Sequence, residues 1–81
     1  MPNVEITENA INKAKRYQIK KKFDKQIGFL KVNPHYNSLK YQPLVETRKD
    51  IYKFRVDLHY WGLVIKTGNN SLKVYDVIKH L

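Results

Sequence analysis

The side chains best suited to chemistry in this sequence are two cations and a histidine placed around predicted β-strands. Lys53 and Arg55 alternate with apolar residues in segment 51–57, and His80 follows the last apolar run. Metal-free RNA cleavage needs a base for the 2′-hydroxyl that attacks the neighbouring phosphate, an acid for the leaving 5′-oxygen, and cations for the phosphorane. A lysine beside another cation can serve as the base, and an imidazole can donate a proton near neutral pH. We therefore predict Lys53, Arg55 and His80 as a catalytic set for RNA cleavage.

Aromatic and basic side chains near this set have the character of an RNA-binding surface. Single-stranded RNA is held by stacking of its bases on aromatic rings and by binding of its phosphates to lysine and arginine. Trp61 has a second interpretation, because strand alternation places it on one face with Leu63 and Ile65, as expected of a core residue. The predicted RNA-binding residues are Arg48, His59, Tyr60 and Trp61.

Several kinds of site are excluded by residue type and spacing. The sequence has three glycines, too few for a phosphate-binding P-loop or a dinucleotide-binding loop. Its three histidines lie far apart, without the i, i+4 pair of a helical metal site, and it has no cysteine for a disulfide or a thiolate zinc site. The predicted chemistry therefore requires no cofactor and no metal.

The net charge is strongly positive. Sixteen lysine and arginine residues against seven aspartate and glutamate residues give +9, which predicts attraction to nucleic acid, an acidic membrane surface or an acidic protein. Half of these cations lie within residues 13–31, where Asp24 is the one acidic residue. Such a surface can be merely solvated, can contact phosphates, or can bind an acidic partner, and composition does not choose among the three.

Two apolar repeats with helical spacing precede the strands. The first follows an N-cap at Thr7 or Asn9, and the second ends at Asn33-Pro34, because proline disfavours helical geometry in the residue before it. The repeat slips in phase between Gln18 and Lys21, which predicts a helical hairpin or a strongly bent helix. The apolar positions are Ala10, Ile11, Ala14 and Tyr17 in the first repeat, and Phe23, Ile27 and Leu30 in the second.

Three consecutive antiparallel strands are predicted at about residues 51–57, 59–67 and 71–79 from their aromatic and β-branched composition. The Gly68-Asn69-Asn70 segment can turn the chain between the last two, because its residues tolerate positive φ. Residues 39–46 are predicted as a short strand or extended loop interrupted by Pro43. The length suits one domain, residues 1–81. No secretion signal or bilayer-spanning apolar stretch is evident, so we expect a soluble cytoplasmic protein that does not bind membrane.

Six motifs of the sequence, taken in order and spacing, resemble those of a known family. They are Lys22-Phe23-Asp24-Lys25-Gln26-Ile27, Leu30, Asn33-Pro34-His35, Ser38-Leu39-Lys40, Ile51-Tyr52-Lys53-Phe54-Arg55-Val56 and Val77-Ile78-Lys79-His80. Together they resemble the RelE/ParE superfamily of bacterial toxins from toxin–antitoxin pairs, over about Ile11 to His80. The resemblance implies an α+β fold in which an N-terminal helical hairpin packs on a twisted antiparallel sheet of about four strands, with Val4 to Thr7 as an edge strand.

For the RelE-like branch, the resemblance implies a ribosome-dependent endoribonuclease that cuts messenger RNA and is neutralised by a cognate acidic antitoxin. Lys53 and Arg55 match positions where that branch carries catalytic or phosphate-binding cations, and His80 matches an arginine or histidine. An acidic antitoxin would be attracted to the basic helices and would form a hetero-oligomer with this chain. The residues predicted to steer it are Lys20, Lys21, Lys22 and Lys25.

Two departures from the family pattern keep two other functions open. Trp61 stands where Tyr-Arg is usual, and the tyrosine that some members carry near the C-terminus is missing. Loss of one such cation commonly costs about 2.7 to 4 kcal/mol of transition-state stabilisation. The first alternative is therefore a catalytically weakened binding module that keeps the fold and the antitoxin-binding surface. The second is an inhibitor of DNA gyrase, which the resemblance implies for the ParE-like branch.

Overall fold

The computed structural model describes residues 1–79, in which two helices pack against one face of a five-stranded sheet. The elements in chain order are β1 (Asn3–Ile6), α1 (Glu8–Arg16), α2 (Lys20–Val32), a 3₁₀ turn (Asn37–Leu39), β2 (Gln42–Pro43), β3 (Ile51–Asp57), β4 (Tyr60–Gly68) and β5 (Ser71–Lys79). The strand order across the sheet is β1-β5-β4-β3-β2. The predicted α+β class is confirmed. Neither of the helices described is long and apolar enough to span a bilayer.

The helical hairpin forms because a cap starts its first helix and a left-handed residue separates the two helices. The Thr7 hydroxyl accepts a hydrogen bond from the Ala10 N–H at 3.2 Å, which makes Thr7 the cap of α1. Asn9, the other candidate cap, donates instead to the Tyr75 carbonyl on β5 at 3.1 Å. Gln18 has a φ of 61° just after α1, within the break that the phase slip predicts. The hairpin, rather than one bent helix, is therefore the correct alternative.

The sheet is mixed, which corrects the prediction of a wholly antiparallel sheet of about four strands. β3, β4 and β5 are antiparallel neighbours close to their predicted positions. β1 pairs with β5 in parallel, with Asn3 opposite Ser71 and Ile6 opposite Val74. β2, by which the chain re-enters the sheet after the helices, runs opposite to β1, and the three antiparallel reversals from β2 to β5 make β5 parallel to β1. The fifth strand, β2, is a two-residue pairing with Tyr52 and Lys53 that Pro43 keeps short at the other edge.

The turn between β4 and β5 also differs from the prediction. Among the residues described, left-handed backbone occurs at Gln18 and Lys40 but nowhere in segment 68–70. The β4–β5 register shifts between Lys66 and Gly68, and such an irregularity increases the local twist of a hairpin. The hairpin therefore closes without the positive φ that its glycine and asparagines would tolerate.

The side of the sheet that packs on the helices is fixed by Phe54 and Gly62, which lie directly opposite each other on β3 and β4. Phe54 is fully buried, and a Cβ added at Gly62 would lie 2.4 Å from two carbons of its ring. The glycine is thus required by the ring above it. Because successive strand residues point to opposite sides, Lys53, Arg55 and Trp61 lie on the other side of the sheet, which we call the open face.

Candidate nucleic-acid interface

The open face brings the two predicted catalytic cations of β3 against one indole. Arg55 lies directly opposite Trp61 on β4, and Trp61 lies opposite Ile78 on β5. The Lys53 Nζ is 4.6 Å, and the Arg55 Cζ is 5.1 Å, from the centre of the Trp61 ring. Both distances are within the range of cation–π interactions. Trp61 therefore holds Lys53 and Arg55 side by side.

Trp61 itself is a packed side chain. It is 5% exposed, so its ring presents little surface on which an RNA base could stack. Of the two interpretations of this residue, packing describes the geometry and base stacking does not. Any part that Trp61 has in RNA binding would come through the two cations that lie against it.

The guanidinium of Arg55 has an unused hydrogen-bond donor. Its Nε is buried and has no acceptor within residues 1–79. A buried donor without an acceptor typically costs about 1–3 kcal/mol. A phosphate oxygen is a strong, charge-complementary acceptor for such a group. The backbone carbonyl of Arg55, by contrast, accepts from the Gln26 Nε2 at 2.7 Å, which ties β3 to α2.

The ionised carboxylate of Asp76 on β5 is paired with polar side chains of α1. It pairs with the Lys13 Nζ at 2.8 Å and accepts from the Asn9 amide at 3.3 Å. Burial alone raises the pKa of Asp76, but the hydrogen bonds from Lys13, the Val77 N–H and Asn9 outweigh it, so the pKa of this carboxyl is lowered overall. Asp76 therefore stays ionised and stays occupied with the helix.

Asp57, at the end of β3, is likewise engaged with a helix. Its carboxylate lies 3.5 Å from the Lys22 Nζ on α2. Within the part of the chain that the structure describes, neither Lys53 nor Arg55 has a carboxylate partner. The open face thus carries two adjacent positive charges that can bind an external anion.

Of the two other predicted RNA contacts, Tyr60 points away from this pair and His59 lies in the turn between β3 and β4. Tyr60 packs with the core and stacks on Tyr17 of α1, with 4.7 Å between the ring centres. Its neighbour Trp61 takes the open face, as strand alternation requires. His59 is exposed in the turn after β3, where its backbone N–H donates to Asp57 Oδ1 at 2.8 Å. The structure therefore places the Tyr60 ring on the helix side of the sheet, opposite Lys53, Arg55 and Trp61.

Arg48 lies in the loop before β3 and is bound to an acid. Its Nε and one terminal nitrogen each lie 2.9 Å from a carboxylate oxygen of Asp50. Those hydrogen bonds lower the pKa of Asp50. A phosphate would have to compete with Asp50 for this guanidinium. His80, the predicted acid, lies outside the described residues, and among residues 1–79 no three histidine or acidic side chains are grouped to hold a metal.

The four lysines predicted to steer a partner have different surroundings. Lys20 pairs with Asp24 at 2.7 Å on α2, and Lys22 is the lysine that reaches β3. Lys21 and Lys25 are exposed and have no carboxylate partner within the described chain. The latter two are the cations most available to an acidic partner.

One feature near the site was not predicted from the sequence. A cleft of about 320 Å³ lies between α2 and the end of β3, with Lys25 and Ser38 in its lining. The buried Gln26 amide next to it donates to the Ser38 carbonyl at 3.1 Å as well as to Arg55. Gln26 lies three residues after Phe23 within the apolar stripe of α2. A polar residue at that spacing was the one available signal of a buried hydrogen-bonding role.

Comparison with known proteins identifies the fold. No family model and no curated protein sequence matches this chain. A YoeB/ParE toxin from Agrobacterium tumefaciens superposes with a TM-score of 0.73 at 15% identity, covering 98% of this chain and 99% of its own. An E. coli DinJ–YafQ toxin–antitoxin complex gives 0.73 at 16% identity over 98% and 92%. A heterotetrameric YoeB–YefM toxin–antitoxin complex from Staphylococcus aureus gives 0.69 at 16% identity over 100% and 99%. The resemblance to RelE/ParE toxins is thereby confirmed at the level of the fold.

Proposed function

We propose that this chain is the toxin of a toxin–antitoxin pair and cuts messenger RNA on the ribosome, in the cytoplasm, as a metal-independent endoribonuclease. The observation that carries the proposal is the pair of Lys53 and Arg55 on the open face of a toxin fold, without carboxylate partners among residues 1–79. An RNA phosphate would supply the acceptor that the Arg55 Nε lacks there. Because similar structures include toxin–antitoxin complexes, we propose a cognate acidic antitoxin as the partner in a hetero-oligomer.

In the proposed reaction Lys53 takes the proton of the 2′-hydroxyl as its oxygen forms a bond to the adjacent phosphorus. Arg55 stabilises the charge on the non-bridging oxygens of the phosphorane. The bond from phosphorus to the 5′-oxygen then breaks, and His80 donates a proton to that oxygen. The products are a 2′,3′-cyclic phosphate and a 5′-hydroxyl. Trp61 would keep Lys53 and Arg55 in register without contacting the RNA.

Primer extension on a defined messenger RNA, with and without translating ribosomes, tests this proposal. We expect cuts only when ribosomes are present, and a loss of about a hundredfold or more for Lys53→Ala, Arg55→Ala or His80→Ala. Lys66→Ala is the matched control, because this lysine is exposed at the far end of β4. Unchanged cutting by all three site variants would remove these residues from the mechanism. Intact RNA with folded wild-type protein would refute the nuclease function.

The burial of Trp61 favours one second candidate, the catalytically weakened binding module. An indole at this position packs against the cations but adds no positive charge of its own to the transition state. Ribosome binding by the wild-type protein without RNA cutting would support this candidate. Stalled DNA supercoiling with intact translation would instead support the gyrase inhibitor, and the same purified protein serves for all three assays.

A further inference from the structure

Five of the six tyrosines of this chain have their rings stacked on another aromatic ring. Tyr75, on β5, is the exception, because its ring has no aromatic partner within residues 1–79. It is partly buried, so some of the ring reaches solvent. A stacked ring has one face already in use, whereas the ring of Tyr75 has a face available to an external ring. The stacked pairs are Tyr17 with Tyr60, Tyr36 with Phe29, and Tyr41 with Tyr52.

Tyr75 lies on the open face, at an irregularity in the pairing of β4 and β5. The register of these strands shifts between Leu63 and Val64, and Tyr75 is the extra residue without an opposite partner on β4. Val74 is fully buried in the core, so the next side chain along the strand is directed to the open face. The Asn9 amide donates to the Tyr75 carbonyl at 3.1 Å and so anchors the backbone at this point. Irregularities of this kind are common next to functional sites, where they redirect a side chain.

The position of Tyr75 across the sheet is level with Lys53 of the catalytic pair. Lys53 lies opposite Leu63 on β4, and Leu63 lies opposite Asp76, the residue after Tyr75. Two strand spacings separate β3 from β5, so the backbone of Tyr75 is about 10 Å from that of Lys53. Arg55 lies two residues further along β3. A single nucleotide spans such a distance between its base and its phosphate, because the side chains of both protein residues extend towards it.

The phenol of Tyr75 stays neutral. Burial, and after it the charge of Asp76, raises the pKa of this group above its ordinary value, so it is not ionised near neutral pH. The pair of Arg48 and Asp50 also acts on the phenol, with Arg48 lowering the pKa and Asp50 raising it. The ring is therefore within electrostatic range of the loop before β3. A neutral ring suits stacking on a base, because no charge has to be removed from water when the base covers it.

We infer that the ring of Tyr75 stacks on an RNA base, and that this base belongs to the nucleotide whose 2′-hydroxyl attacks. The inference rests on the proposed function, in which Lys53, level with Tyr75, takes the proton of that hydroxyl. Trp61, at 5% exposure, presents little surface for a base, so Tyr75 is the open-face ring that can hold one. Stacking strength sets modest base preferences, and the two fused rings of a purine cover more of a phenol than one pyrimidine ring does. We therefore expect adenine or guanine to be preferred immediately 5′ of the cut.

The test measures stacking without requiring cleavage. One ligand is a short oligonucleotide with 2′-deoxy sugars throughout, which therefore cannot be cut, and with 2-aminopurine as its single base among abasic sugars. Stacking on a protein ring quenches 2-aminopurine fluorescence. The second ligand is abasic at every position and reports phosphate contacts alone. Affinities of the full chain for both are measured by calorimetry at low salt.

We expect the wild type and Tyr75→Phe to quench 2-aminopurine and to bind the first ligand with affinities within about twofold of each other. Tyr75→Leu should quench little and bind it about fivefold or more weakly, while all three proteins bind the abasic ligand equally. Tyr36→Leu is the matched control and should match wild type, because Tyr36 is 47% exposed but already stacked on Phe29. Guanidinium unfolding confirms that each variant is folded.

Three results would overturn the inference. The first is quenching that persists in Tyr75→Leu, or no binding of either ligand by the folded wild type. The second is equal weakening of both ligands by Tyr75→Leu, which would give the residue a structural role or a phosphate contact. The third is equal weakening of the first ligand by Tyr36→Leu and Tyr75→Leu.

Ribosome-dependent cutting is measured separately on the same proteins. The purine preference 5′ of the cut should disappear in Tyr75→Leu and remain in Tyr75→Phe, and a preference unchanged in Tyr75→Leu would separate this residue from the base at the cut. If the folded protein quenches 2-aminopurine but never cuts RNA, the nuclease function fails, whereas the stacking site stands as part of a binding module.

Discussion

Replacement of Gly62 by alanine is the sharpest test of how β3 and β4 are held in register. The new methyl would lie 2.4 Å from Cε1 and Cζ of Phe54 and 3.1 Å from Cδ1. Carbon atoms in contact are normally about 3.5–4.0 Å apart, so the ring would have to move by about 1 Å or more. Phe54 is fully buried and neighbours Phe23, with 6.5 Å between ring centres, which leaves little room for that movement. Overpacking of this kind costs about 1–3 kcal/mol, or a fall in Tm of roughly 4–8 °C per kcal/mol for a domain of this size.

The assay is guanidinium unfolding followed by the fluorescence of Trp61, the one tryptophan of the chain. The other two glycines supply the controls. Gly28→Ala should raise the free energy of unfolding by about 0.5–1 kcal/mol, since its Cβ enters open space in a helix. Gly68→Ala should change it little, because its nearest contact is an ordinary 3.7 Å. In the Gly62→Ala background, Phe54→Leu should cost less than it does in wild type. Equal stability of the Gly62→Ala and Gly68→Ala proteins would refute the reasoning.

Three further predictions concern hydrogen bonds and ionisation. Gln26→Met keeps the side-chain volume but leaves the Ser38 and Arg55 carbonyls without their donor, so we expect unfolding to become easier by about 1–3 kcal/mol in the same assay. Because the pKa of Asp76 is lowered in the folded state, its stabilisation is present above the unfolded pKa and is lost as pH falls through the folded pKa. The D76N variant should therefore lose less stability on acidification than wild type, by up to about 1 kcal/mol, and a parallel slope in the two proteins would contradict this. Burial, with a smaller contribution from Tyr52, raises the pKa of Tyr41 to about 12 from 10.0. Stability from its neutral phenol should be full below pH 10 and should decline between there and about pH 12, and absorbance titration should show a late-ionising tyrosine that is missing in Tyr41→Phe.

The adjacency of Lys53, Arg55 and Trp61 could be predicted because it depends on local patterns. Alternation assigns the two cations to one side of β3, and consecutive antiparallel strands bring β4 beside it. The same alternation separates Tyr60 from Trp61, since neighbouring strand residues point to opposite sides. Tyr60 was predicted as an RNA contact from its residue type alone. Its position in the strand, next to Trp61, correctly implies that its ring lies on the opposite side of the sheet.

Long-range pairings could not be read from the sequence. The strand Asn3–Ile6 is too short to show a periodic pattern in the sequence. Its partner β5 lies at the other end of the described chain, so neither the position of β1 in the sheet nor its parallel direction could be predicted. The pairing of Asp76 with Lys13 depends on that same arrangement. Propensity acts over a few residues and carries no information on such contacts.

The parallel pairing of β1 with β5 also fixes when this protein can complete its fold during synthesis. Of the elements described, β1 leaves the ribosome first and β5 leaves it last. Yet β5 is the one described strand to which β1 is hydrogen-bonded. α1 likewise takes its Asn9 and Lys13 contacts from β5. Contacts this far apart in the chain form late, because the long loop must close before they are gained. Newly made chains therefore pass through a stage in which β1 and α1 have left the ribosome but lack their contacts with β5. Any activity that needs the finished sheet therefore begins only after β5 has been synthesised.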